Sequence, residues 1–142
     1  MEQEGKIKSY ICDVDCGSSE KCKFLKEFNG WFMTDDLDKI FEVLTDDIAW
    51  GMEGDETIHG IPGVQEMFRS AKSEYGEEFE LKEMVVEKIL VDENNGTWYG
   101  VSTGHAAMNN GDRYAFADFV TFSPDTDNRI SALNTLMVPL KA

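Results

Sequence analysis

Basic residues are scarce. Against 28 Asp and Glu, the 142-residue chain carries 13 Lys and Arg, for a net charge of −15. A surface of that sign repels phosphate backbones and anionic lipid headgroups, so neither nucleic acid nor a membrane surface is an expected partner. The acids are spread over turns and helix faces rather than gathered in one block, as on a solvated surface. Long apolar runs are missing too. None reaches the length of about 18 residues that a membrane-spanning helix needs. The opening MEQEGKIKSYICDVD has no signal-peptide stretch, so a cytoplasmic location is the expectation. Cysteine is sparse and odd in number: Cys12, Cys16 and Cys22. That count argues against a disulfide framework. Their spacing, with no fourth cysteine and no histidine close by, does not supply the four ligands of structural zinc. The three read as ordinary thiols of a peripheral segment, and neither metal nor cofactor is expected.

What is present suits one domain with a core of its own: an ordinary 42% hydrophobic content in a chain of this length. Residues 1–17 read as an N-terminal extension, strand-like at residues 7–12, and residues 18–142 as a single domain. Ser18 or Ser19 can cap a first helix, whose apolar face is Phe24, Leu25, Phe28, Trp31 and Phe32. Asp35 or Asp36 caps a second, with Leu37, Ile40, Phe41 and Leu44 as its stripe. Pro62 starts a third, followed by Val64, Met67, Phe68 and Ala71. Strands are then expected over residues 79–91, 97–108, 113–122 and 129–140, separated by turns at 92–96, 109–112 and 123–128. Three helices followed by long antiparallel strands make an α+β domain.

Residues 28–67 carry the most specific order. An apolar helix closes in Trp31-Phe32, and an acidic turn, Thr34-Asp35-Asp36, opens a short helix. Asp46-Asp47 leads into Ile48-Ala49-Trp50, and Ile58-His59-Gly60 precedes Pro62. This order resembles the nuclear transport factor 2-like superfamily, which includes SnoaL-like polyketide cyclases and ketosteroid isomerases. The resemblance implies a curved, mixed but mostly antiparallel sheet wrapped around three N-terminal helices, a cone with an apolar pocket inside. The segment Phe116-Ala-Asp-Phe-Val-Thr-Phe122 is similar to the isomerase strand bearing a pocket aspartic acid, which places Asp118 on that position. The family's tyrosine falls on Phe28 and its base on Gly51 or Met52, so the isomerase chemistry itself is not implied. The arginine that limonene-epoxide hydrolases need is also missing, since Arg69, Arg113 and Arg129 lie on a helix and at turn edges.

Asn110-Gly111 favours a two-residue hairpin turn, because Asn-Gly tolerates positive φ. That turn pairs His105 with Phe116 and Thr103 with Asp118. Tyr99, Val101, Thr103 and His105 then share one face with Tyr114, Phe116, Asp118 and Val120. His105 would sit diagonal to Asp118, a pairing that holds an imidazole in one tautomer for proton transfer. It looks like the His–Asp pair of scytalone dehydratase-like and SnoaL-like enzymes. Three functions stay open. The first is a cofactor-independent proton-transfer enzyme of isomerase, cyclase or dehydratase type, acting on a small apolar carbonyl compound. His105 and Asp118 would be catalytic, and Trp31, Trp50, Met52, Tyr99, Thr103 and Phe116 would bind the ligand. The second is a binding module for a small hydrophobic ligand. The third is an interaction protein, a homodimer through a convex sheet face of Ala115, Ala117, Phe119, Ile130, Ala132 and Leu136.

Overall fold

The first helix begins at its cap. In a computed structural model of the chain, which describes residues 8–34, 36–75, 80–124 and 128–140, the Cys22 amide donates to Ser19 Oγ at 3.2 Å. Helix α1 then runs Glu20–Met33, with Glu20 in the first turn, where a negative charge suits the helix dipole. Helix α2 (Leu37–Glu42) follows, with Asp36 at its N-cap; Asp35 lies outside the described residues. Leu44, expected on that helix, instead opens a strand and is buried there. Helix α3 spans Ile61–Tyr75, with Pro62 in its first turn.

The strands are β1 (Ser9–Cys12), β2 (Leu44–Met52), β3 (Ile58–His59), β4 (Leu81–Asn94), β5 (Thr97–Met108), β6 (Arg113–Phe122) and β7 (Ile130–Pro139). They form one seven-stranded sheet in the order β1-β4-β5-β6-β7-β2-β3. Pairing is antiparallel except for β1 with β4 and β2 with β7, so the expected mixed, mostly antiparallel α+β architecture stands. Helix α1 lies over β4 and β5, and α3 over β2. The inward residues of β5 are small: Gly100, Ser102, Gly104 and Ala106. They leave room for α1, and the buried Asn29 donates through Nδ2 to Ser102 Oγ at 3.0 Å. Leu25, Phe28, Ile40, Ile48, Val64, Phe122 and Ile130 fill the core between helices and sheet.

The two Asn-Gly turns differ, and the difference overturns the expected register. Asn95 and Gly96 both take positive φ, 54° and 84°, and join Asn94 directly to Thr97. That is the two-residue turn for which Asn-Gly is suited. At the next hairpin only Gly111 has positive φ, 98°. Here the Asp112 amide donates to Asn110 Oδ1, and the Met108 amide donates to the Asp112 carbonyl across a loop of Asn109, Asn110 and Gly111. One more loop residue slides β6 by one position. Ser102 now faces Asp118, and His105 faces Ala115.

A second irregularity lies on β4. Val86 pairs with Gly104 and Lys88 with Thr103, so Glu87 is an extra residue in the ladder. Such a bulge bends and twists a sheet. Gly104 permits it: a methyl group there would collide with the Val85 carbonyl, lying 2.9 Å from its carbon and 3.0 Å from Val86 Cα.

The N-terminal segment corrects the reading of the cysteines. Cys16 and Cys22 form a disulfide, with Cα atoms 5.4 Å apart, and Cys12 keeps a free thiol. Gly17 turns the chain with φ 56°, bringing Cys16 beside the first turn of α1. A local link of this kind needs no framework of paired cysteines, which is why an odd count did not reveal it. Closing so short a loop contributes about 2 kcal/mol by chain-entropy reasoning. Two further bonds fasten the segment: Tyr10 Oη donates to the Lys26 carbonyl at 2.6 Å, and Lys26 Nζ donates to the Val14 carbonyl at 3.0 Å. A thiol titration of the unfolded, unreduced protein is expected to find one reactive cysteine per chain, and three after reduction. Three before reduction would refute the link.

Candidate functional site

Between the sheet and helices α1 and α3 lies a cavity of about 360 Å³, at the low end of the ~300–1,000 Å³ usual for small-molecule sites. Its wall is mainly apolar. Phe32 from α1, Trp50 from β2 and Phe68 from α3 meet at ring-centroid distances of 5.7–6.3 Å. Met67, Met84, Leu133 and Met137 continue the lining, and Phe116 and Ala106 come from the sheet. Methionine suits such a wall because its unbranched thioether adapts to irregular shapes.

Polar groups are few. Asp118 on β6 points inward beside Thr135 of β7, its partner in the ladder. Thr135 Oγ1 donates to Asp118 Oδ1 at 2.7 Å. Burial pushes the Asp118 carboxyl up to about 6, although the Thr135 hydrogen bond opposes the rise. Asp55 and Glu56, both exposed, stand on the wall from the loop between β2 and β3. Among the described residues, the lining holds no Lys, Arg or His, and no group of three or more His, Cys, Asp or Glu could hold a metal ion.

Of the residues singled out from sequence, Trp50, Met52, Phe116 and Asp118 line the cavity. Trp31, Tyr99, Thr103 and His105 do not. Trp31 packs edge-on against Phe24 and Phe28 and faces a groove beside the N-terminal segment. Tyr99, Thr103 and His105 fall on the opposite face of the sheet because of the one-residue slide after Met108. His105 Nδ1 instead lies 3.5 Å from a Glu87 carboxylate oxygen, on the side where the bulge places that residue. The expected His105–Asp118 pair therefore does not form. Thr135, Phe32 and Phe68 carry the site unannounced. Phe32 and Phe68 were legible as helix-face residues, but nothing local marked Thr135 as the neighbour of Asp118.

On the outer face, Phe119 and Leu136 of the expected stripe are 45% and 39% exposed, and Val138, not expected there, is 49% exposed. Ile130 is not part of it. A register shift between Thr121 and Phe122 turns it inward, where it is fully buried.

No protein-family model matches the chain, and no curated protein matches its sequence. Solved structures do match. The Orange Carotenoid Protein of Anabaena (Nostoc), solved binding canthaxanthin, superposes with a TM-score of 0.68 at 13% identity over 88% of this chain. This chain spans 38% of that protein's length. An NTF2-like protein of unknown function from Burkholderia pseudomallei matches with a TM-score of 0.58 at 17% identity, covering 82% of this chain and 89% of that one. A protein named as a candidate isomerase from Bacillus subtilis matches with a TM-score of 0.60 at 15% identity, covering 84% and 87%. Likeness at these identities shows a shared fold and leaves the activity to be argued from the site.

Proposed function

We propose that this chain, which has the nuclear transport factor 2-like fold, is a small-molecule pocket protein whose cone-shaped sheet holds an apolar, ring-bearing compound against Asp118. The observation that carries this reading is the cavity itself: aromatic and methionine walls with one carboxyl group on the inner face of the sheet, fixed by Thr135. A pocket of this kind buries most of a small ligand and orients it by few polar contacts. Titration with 2-acetylnaphthalene, followed by tryptophan fluorescence and calorimetry, is expected to show saturable binding. Leu133→Trp, which fills the cavity, should abolish it while leaving the circular dichroism spectrum intact. Failure of the parent to bind, or equal binding by the filled variant, would overturn the reading.

A second reading adds chemistry. A carboxyl group with a pKa of about 6 is poised for proton transfer near neutral pH. With His105 on the other face, that role falls to Asp118 alone. Its carboxylate would take a proton from the carbon beside a ligand carbonyl, the C–H electrons forming an enolate. The enolate then regains a proton at carbon. In heavy water the methyl protons of 2-acetylnaphthalene should exchange for deuterium with the parent and not with Asp118→Asn. Equal exchange rates would leave binding without catalysis.

The outer sheet face supports a homodimer, since exposed apolar side chains in one stripe are usually covered and a two-fold pair is the commonest cover. Sedimentation at micromolar concentration is expected to show the dimer, and Phe119→Glu to shift it to monomer.

A further inference from the structure

We infer that the ligand of the cavity carries a positive charge: it is a protonated amine on an apolar body of ring size. The inference rests on the pocket reading above and adds the ligand's chemical class to it.

Among the described residues, the wall of the cavity carries charge of one sign. Three of its side chains are acids, Asp55, Glu56 and Asp118, and among the described residues none is basic. The wall elements packed around Asp118 add no further titratable group: β2, β7, α1, α3, β4 and β5 contribute apolar residues, Gly51 and Thr135. The hydroxyl of Thr135 already donates to Asp118 Oδ1. Among the described residues, Trp50 is the one lining side chain that carries a nitrogen donor, its indole N–H. A wall with this balance offers acceptors and charge to a donor ligand, and little to an anion.

Energetics point the same way. At neutral pH the Asp118 carboxylate is mostly ionised, yet it sits in an apolar cavity with a neutral hydroxyl as its hydrogen-bond partner. A buried charge without a counter-charge is costly, and an ammonium group would supply the missing partner. The aromatic faces of Phe32, Trp50 and Phe68 then add cation–π attraction. Asp55 and Glu56 on the β2–β3 loop favour a cation's approach, as does the net charge of −15. A carboxylate or phosphate ligand would meet repulsion from the same residues.

The test uses three probes of one shape, titrated into the whole protein near neutral pH: 2-naphthylmethylamine, 2-naphthylmethanol and 2-naphthoate. The amine is expected to bind at least about tenfold tighter than the alcohol, which corresponds to about 1.4 kcal/mol, and the acid weakest of the three. Asp118→Asn should erase the amine's advantage over the alcohol. In the parent, lowering the pH through 6 should weaken the amine and spare the alcohol, because the carboxylate is lost as it takes up a proton. If the alcohol binds as well as the amine, or the amine's advantage survives Asp118→Asn, the charge inference falls and the pocket stands. If none of the three binds, the pocket reading falls as well.

Discussion

Replacing Gly104 by alanine is expected to cost more than any other single methyl group added to the inner face of this sheet. The new Cβ would meet backbone on β4, the Val85 carbonyl and Val86 Cα, and backbone in a paired ladder has no rotamer by which to retreat. Either the two strands part or the Glu87 bulge is lost. A loss of roughly 4 kcal/mol or more is expected, a large share of the ~5–15 kcal/mol that holds a domain folded. Gly100 supplies the control. A methyl there meets Leu25 Cδ1 at 2.5 Å, the far end of a side chain that can move. Thermal melts should show Gly100→Ala mildly destabilised and Gly104→Ala severely so, or failing to accumulate as folded protein. Equal melting temperatures would remove the bulge from this account.

Replacing Asp118 by asparagine should make the protein more stable at neutral pH. A carboxyl whose pKa rises from 3.8 to about 6 on folding holds its proton more tightly in the folded state. Stability from this group therefore falls as pH rises through that interval. The penalty is absent below the unfolded value and complete above the folded one. The displacement caps it at about 3 kcal/mol, and access of solvent through the cavity brings it to roughly 1–2 kcal/mol. Asparagine keeps an oxygen for the Thr135 hydroxyl and carries no charge. The variant's melting temperature should exceed the parent's by roughly 3–6 °C at pH about 8, with the gap closing below pH about 4. An unchanged gap across that range would show that ionisation is not its source. Gain of stability with loss of the amine preference would mark Asp118 as a residue kept for its ligand rather than for the fold.

How far the sequence announces all this depends on the range of each interaction. Helix faces repeat within a few residues, so Phe28, Ile40 and Val64 are legible as core. Phe32 and Phe68 are legible as inward-facing, although their meeting around Trp50 is not. Asp118 was found through the likeness of residues 116–122 to an isomerase strand, and the structure does turn it into the cavity. His105 was lost to a single loop residue. Asn-Gly permits both a two-residue turn and a three-residue loop, and the chain uses one at Asn95-Gly96 and the other at Asn110-Gly111. In the longer loop the Asn110 side chain accepts from the Asp112 amide, a bond that no pattern of hydrophobicity displays. Thr135 needed the register of β6 on β7, interrupted between Thr121 and Phe122. The disulfide needed the turn at Gly17.

The order of strands has one more consequence. The sheet ends on one side in β1, four residues long, and on the other in β3, two residues long. Behind β1 stands β4, fourteen residues of nearly continuous strand rich in Val, Ile and Leu. Unpaired, such an edge is a template for another chain's backbone and a start for aggregation. The short parallel strand covers its first part, and the Cys16–Cys22 link fastens that cover to the helix behind it. Reducing conditions would thus act first on how well the protein stays dispersed, and only afterwards on what it binds.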